Sequence, residues 1–310
     1  MLKSLRLKAY AKLNPSLYVG ARRFDGFHSL ESAAVTVDVA DIVTVSQTDS
    51  GRIESNYGGG VFIPEQTDSA VRAARMFFQT ASVPFKGLKI KTEKHIGLMA
   101  GMGGSSADAA AVLTALGLFY GCEKSITDEA ARRTGSDICF LMKGGAALMS
   151  GKGDDLTEFC CSPNVCFVVV RCGRGLSTKD VFSEFDRSVY VKWDMTRAKR
   201  KCLDMLGLME NGDADGINGT AFNSLFEPAA ALCRELEETA RKAESLGAPL
   251  IMTGSGSAMF CAFDSNERAA SVADAFNSAG LNAFVCKPTR CGVEAVSYTH
   301  LRAHETAANL

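Results

Sequence analysis

The sequence predicts an α+β protein in two domains, and three observations carry that prediction. The 310 residues are 46% hydrophobic and 22% charged, enough apolar material for two cores. Segments of strand and helix periodicity alternate along the chain, the pattern of helices packed on sheets. The pattern restarts near residue 157 with the strongly apolar run Val165 to Arg171. The expected division is 1–157 and 158–296, with 297–310 set aside as a tail.

In the first half, Ala9 to Gly20 alternates like a strand interrupted in its middle by Pro15, which places Lys12 and Asn14 on one face. Arg22 to Ser29 is a polar turn around Asp25-Gly26, read as a hairpin tip carrying Phe27 and His28. Ala34 to Ser46 reads as two short strands, Asp68 to Thr80 as a helix and Gly87 to Thr92 as a strand. The Ala-rich segment Ala107 to Tyr120 has high helix propensity. Thr127 is placed as the N-cap of a helix ending near Gly135, and Ala146 to Ser150 closes the half as a strand.

In the second half, a helix spans Thr178 to Phe185, and a charged helical segment follows to Glu210. A long amphipathic helix runs from Glu227 to Leu246 and stops at Gly247. Pro249 to Thr253, Gly254 to Ser257 and Ala258 to Phe263 form strand, glycine turn and strand. Asn266 to Ala279 is a helix, and Ala283 to Lys287 the last strand. Val296 to Leu310 has neither period and concentrates two of the four histidines, so it reads as adapter sequence outside the fold.

Bulk properties exclude several functions. A net charge of -1 gives no field to attract nucleic acid or an anionic membrane, so an anionic ligand must be held by a local site. No apolar run has the length of a signal peptide or a membrane span, which predicts a cytoplasmic protein. Eleven cysteines, an odd number without a Cys-x-x-Cys pair, argue against a disulfide framework and a zinc site.

The chemistry concentrates in Gly97-Leu98-Met99-Ala100-Gly101-Met102-Gly103-Gly104-Ser105-Ser106-Ala107. Its glycines allow positive φ and close backbone approach, and it runs directly into a helix. Free amides, the positive end of the helix dipole and two hydroxyls converge there, the arrangement that binds phosphate. It is not a Walker A loop, because Gly151-Lys152 is followed by Gly153 and preceded by Ala146 where the first glycine belongs. It is not a dinucleotide fingerprint, because Ser106 stands at the third glycine. A glycine turn that lets a helix pack closely on a sheet is the alternative. Asp137, ahead of the apolar turn Ile138 to Met142, is either a helix cap or a carboxylate able to accept a proton from a substrate hydroxyl. Gly254 to Ser257 is either a plain hairpin turn or part of a site.

The order of these segments resembles the GHMP kinase superfamily: Ala11-Lys12-Leu13-Asn14 with Asp25-Gly26-Phe27-His28, the Gly/Ser cradle, Thr134-Gly135-Ser136-Asp137, and Met252-Thr253-Gly254-Ser255-Gly256-Ser257. The resemblance spans about residues 5 to 295. It implies a ribosomal-S5-domain-2-like nucleotide-binding half and a ferredoxin-like half. It also implies ATP and Mg²⁺ as reaction partners and phosphorylation of the tertiary 2-hydroxyl of a cytidine-diphosphate-linked methylerythritol. In that scheme Asp137 receives the hydroxyl proton beside Lys12, and Gly97 to Ala107 hold the ATP phosphates. Asn14 contacts the substrate, Phe27 and Phe182 sandwich cytosine, His28 reads its edge, and Gly254 and Ser255 close the site. No protein ligand to a metal is implied, and the protein is expected to be a monomer or weak homodimer. Gly97, Ser105 and Phe27 stand where the superfamily usually has proline, a third glycine and tyrosine. The rivals are a homoserine- or mevalonate-type kinase, whose substrate has no base to stack, and a catalytically silent ligand-binding member.

Overall fold

A computed structural model describes residues 2–300 apart from Val61, Arg174 and Ser188. Strand β1 (Leu2–Arg22) turns through the Asp25-Gly26 tip into β2 (His28–Gln47), and the two pair antiparallel along most of their length. Pro15 does not end the strand. It falls at a register shift between Leu13 and Ser16, where its missing donor is tolerated. Ala34 to Ser46 likewise lies within one strand, whose irregularity opposite Tyr10 and Ala11 is what the sequence reads as a break.

The first half continues with β3 (Ile53–Tyr57), α1 (Ser69–Ala81), β4 (Leu88–Glu93), α2 (Gly104–Tyr120), α3 (Lys124–Thr134), α4 (Ile138–Lys143), β5 (Ala146–Ser150) and β6 (Asp155–Phe159). Asp68 caps α1, accepting from the amides of Ala70 and Val71. α3 starts earlier than Thr127, with Glu123 at its N-cap, and the Thr127 hydroxyl donates back to the Lys124 carbonyl. Ala107, Ala109, Ala110 and Ala111 are fully buried, so the small face of α2 lies close on the sheet.

The second half holds β7 (Cys166–Arg171), α5 (Thr178–Phe185), α6 (Met195–Asn211), α7 (Ala214–Thr220), β8 (Phe222–Asn223), α8 (Phe226–Leu232), α9 (Glu235–Ser245), β9 (Ile251–Met252), β10 (Met259–Phe263), α10 (Asn266–Ser278), β11 (Asn282–Cys286) and β12 (Val293–His300). The single helix expected over 227–246 is two, because Cys233 takes extended backbone angles between α8 and α9.

Two sheets result. The larger runs β12-β1-β2-β4-β3, with β5 and β6 continuing from β2 and β8 beside β1. The smaller is antiparallel in the order β11-β7-β10-β9, the strand order of a ferredoxin-like sheet. β11 is not the last strand: β12 returns to pair with β1, with Leu5 opposite Tyr298 and Leu2 opposite His300. Residues 297–300 of the segment set aside above therefore belong to the larger sheet, and 301–310 lie outside the described residues.

Candidate active site

Lys12 and Asn14 project from β1 just before the Pro15 irregularity, and both are nearly fully buried. The Lys12 ammonium donates to Asn14 Oδ1 and lies 3.6 Å from Asp137 Oδ2. Asn14 Nδ2 donates to Ser32 Oγ at 2.8 Å, and the Asn14 amide donates to Thr253 Oγ1 at 3.0 Å. A buried lysine needs a compensating partner, and the side chains around Lys12 supply one. Asp137 occupies the N-cap position of α4, but its carboxylate makes no capping bond. Its side chain is one-third exposed beside Lys12.

The Gly/Ser segment forms a loop leading into α2. Met99, Gly101 and Gly103 have positive φ, and Gly103 is the left-handed N-cap of the helix. A Cβ at Gly101 would overlap the Thr253 carbonyl, so the loop and the Gly254 turn pack backbone on backbone. The turn is held from below by Asn223, whose Nδ2 donates to the carbonyls of Met252 at 2.7 Å and Gly254 at 2.9 Å. A Cβ at Gly254 would lie 3.1 Å from Lys12 Nζ, which puts this turn directly over the lysine. Ser255 Oγ shares a 2.9 Å hydrogen bond with Thr178 Oγ1 at the start of α5.

One cavity of about 830 Å³ joins these parts. Lys12, Asn14, Phe27, His28, Gly97 to Ser106, Asp137, Phe182, Gly254 and Ser255 all line it; Ala107 is buried in the core beneath. At one end lies the glycine loop. At the other, His28 packs on Phe182 with ring centroids 5.1 Å apart and shares a 2.7 Å hydrogen bond with Asp186, while Phe27 is half exposed with Lys152 Nζ 5.5 Å from its ring centroid. Lys94, Lys152, Thr178, Lys179 and Asp186 also line the cavity. Sequence reasoning passed over them because a single charged residue outside a motif reads as a solvated one. Asn223 was missed for the same lack of a signal, and Thr253, although within the glycine-turn motif, was given no role.

Behind the loop lies a buried ionic cluster. Lys94 Nζ donates to Asp41 Oδ2 and, at 2.7 Å, to Asp108 Oδ2. Burial and the nearby Asp41 push the Asp108 carboxyl up. Lys94 is held above the usual lysine range because Asp108 and Asp41 outweigh its own burial.

Among the described residues no group of three His, Cys, Asp or Glu side chains could cage a metal ion. Asp137, Ser105 and Ser106 are among the oxygen-bearing side chains that line the cavity. That set suits a Mg²⁺ bound mainly by substrate phosphates and water. Among the described residues no helix is long and apolar enough to cross a membrane.

Comparison with known proteins places this geometry. The family model described as GHMP kinases N terminal domain matches residues 68–150, and that described as GHMP kinases C terminal matches 200–282. The chain is 31% identical over 265 residues to the 4-diphosphocytidyl-2-C-methyl-D-erythritol kinase of Clostridium beijerinckii, covering 84% of this chain and 91% of the relative. A crystal structure of 4-(cytidine 5'-diphospho)-2C-methyl-D-erythritol kinase superposes with a TM-score of 0.72 at 30% identity, covering 92% of this chain and 100% of that one. Homoserine kinase from Cytophaga hutchinsonii superposes with a TM-score of 0.73 but only 18% identity, covering 96% and 98%, a likeness of fold. The glycine loop leading into a helix, the buried lysine facing a carboxylate and these matches agree: the chain belongs to the GHMP kinases and, within them, to the family of the 4-diphosphocytidyl-2-C-methyl-D-erythritol kinases.

Proposed function

We propose that the protein transfers the γ-phosphoryl group of ATP to the 2-hydroxyl of 4-diphosphocytidyl-2-C-methyl-D-erythritol, a step in isoprenoid precursor synthesis. The observation that carries this is the two-ended cavity: a phosphate-binding loop and the Lys12–Asp137 pair at one end, a cluster of rings around His28 at the other.

The residues divide the work. Amides of the loop and the N-terminus of α2 hold the ATP phosphates. Phe27 and Phe182 stack on cytosine, and His28, oriented by Asp186, reads its edge. Asn14 positions the polyol. The substrate hydroxyl gives its proton to Asp137 as its oxygen bonds to the γ-phosphorus; the bond to the β-phosphate bridging oxygen breaks and ADP leaves with that electron pair. Lys12, 3.6 Å from the Asp137 carboxylate, orients the hydroxyl beside it. The transition state of such transfers is loose, so positioning and charge neutralisation supply most of the acceleration. Ser105, Ser106 and Asp137 are the residues that would hold a nucleotide-borne Mg²⁺, which would supply neutralisation of phosphate charge. The turn at Gly254 and Ser255 covers Lys12 and excludes water. A cytoplasmic setting is supported by the eleven cysteines, which are all free thiols.

The test is substrate choice. With ATP and Mg²⁺, ADP release is expected only with the cytidylyl alcohol, and the product gains the mass of one phosphoryl group. Equal turnover of homoserine or mevalonate would overturn the substrate assignment, and no turnover with any alcohol would indicate a silent member.

A further inference from the structure

We propose that the buried triad Asp41–Lys94–Asp108 is a brace that ties the two ends of the glycine loop together, making Asp41 and Asp108 positioning residues for the nucleotide although neither lines the cavity. The inference rests on the assignment of residues 97–107 to the ATP phosphates.

The contacts fall on the residues that flank that loop. Asp41, fully buried on β2, accepts through Oδ1 the amides of His95 at 2.6 Å and Ile96 at 2.8 Å, the two residues immediately before Gly97. Through Oδ2 it accepts from Lys94. The same ammonium donates at 2.7 Å to Asp108, the residue immediately after Ala107. One strand thus grips residues 94, 95 and 96 on one side of the loop and, through a shared ammonium, residue 108 on the other. The His95 peptide is held from its opposite side too, by Arg171, which donates to its carbonyl at 2.6 Å.

The loop needs such support. Met99, Gly101 and Gly103 all have positive φ. Among the described residues its carbonyls at Met99, Ala100 and Met102 accept from the amides of Leu176, Ala258 and Lys12, and Ala107 donates to the Gly103 carbonyl where the helix begins. Amides that bind phosphate must stay unpaired and pointed at the ligand, so the loop cannot stabilise itself through them.

Stability alone does not explain the triad. Two buried carboxylates share one ammonium, and among the described residues Asp108 Oδ1 has no hydrogen-bond partner. A buried ionic group of this kind is commonly no more stabilising than an apolar replacement, so its use here is to set geometry. The Lys94 ammonium lies below the first residue of α2: a Cβ on Gly104 would sit 3.4 Å from it. Movement at either end is transmitted to the amides that face the cavity.

The test compares Asp108→Leu, which severs the link to α2 while leaving Asp41 and Lys94 as a neutral pair, with Asp108→Asn, which keeps an oxygen for Lys94. Kinetics, calorimetric binding of ADP and hydrogen exchange over residues 97–107 are measured on the full chain. Asp108→Leu is expected to raise KM for ATP about tenfold, leave KM for the alcohol within twofold and speed exchange across the loop. Asp108→Asn is expected to restore most of the affinity. A lowered thermal midpoint with unchanged ADP affinity and unchanged loop exchange would overturn the brace and leave a merely structural cluster. If Asp108→Leu does not fold, unaltered loop exchange and ADP affinity in Asp108→Asn overturn it equally, and a small measurable rise in loop exchange with a small fall in ADP affinity supports it. Wild-type protein that binds no ADP would instead sink the assignment of the loop itself.

Discussion

Asp137 stands at the N-cap of α4 without capping it, and its carboxylate is 3.6 Å from the buried ammonium of Lys12. A carboxylate at a helix start normally accepts one of the free amides there. This one is left to face the cavity. Asp137→Asn keeps the shape and removes the proton acceptor, so kcat should fall by about 10²- to 10⁴-fold, the usual contribution of a general base. ADP affinity, measured by calorimetry, should change little. A near-normal rate would return Asp137 to a structural role.

The close approach of Gly101 to the Thr253 carbonyl gives a second expectation. Gly101→Ala adds a Cβ where backbone already sits, at φ +75. Loop and turn must separate, and ADP affinity should fall by at least about tenfold, the equivalent of roughly 1.4 kcal/mol. Gly121→Ala is the control: it has a similar φ, +60, at the C-cap of α2, but nothing within 4 Å of the added atom. It should cost about 1 kcal/mol of stability without changing ADP binding.

At the aromatic end, Phe182→Ala removes a ring that packs on His28 and faces the cavity. Base-on-aromatic stacking is worth about 1–3 kcal/mol, so KM for the cytidylyl alcohol should rise about tenfold or more. KM for ATP and kcat should hold. Equal effects on both substrates would mean that Phe182 supports the fold rather than the base.

The buried thiols make stability pH-dependent. Burial pushes Cys202 and Cys261 up to about 12 and Cys172 up to about 11. In the unfolded chain these thiols ionise near 9, so above that pH the unfolded state releases protons that the native state retains. Their contribution is nil below about pH 8 and increasingly destabilising as pH rises from 9 toward 12. The urea midpoint should fall between pH 8 and pH 10.5. A midpoint that is flat or rising would show that the thiols are not sequestered as described.

The parts of the site that were legible in the sequence are those whose geometry is local. Glycines followed without a break by alanines determine a loop feeding a helix, and Lys12 and Asn14 share a face by strand period alone. The meeting of Lys12 with Asp137 is tertiary, and no spacing contains it. The resemblance supplied the pairing, and the residues by themselves left Asp137 as either a helix cap or a proton-accepting carboxylate. Asp41 and Asn223 act through contacts with backbone far away in sequence, and Lys94 through the carboxylates of Asp41 and Asp108, so they carry no pattern. Elements were misread for related reasons. β3 and β6 are short and mostly polar, with few buried positions to reveal a period. The break at Cys233 has no glycine or proline to announce it, and the apolar spacing runs on through it.

The return of β12 to the flank of β1 has a consequence for how the enzyme is made. The first half of the strand that presents Lys12 acquires one of its neighbours only when the far end of the chain emerges from the ribosome. Until then that edge is open to wrong partners. A message interrupted before residue 293 would encode every residue placed in the cavity, yet yield a sheet with a bare margin. The strand that carries Lys12 is therefore completed by residues that contribute nothing to the cavity.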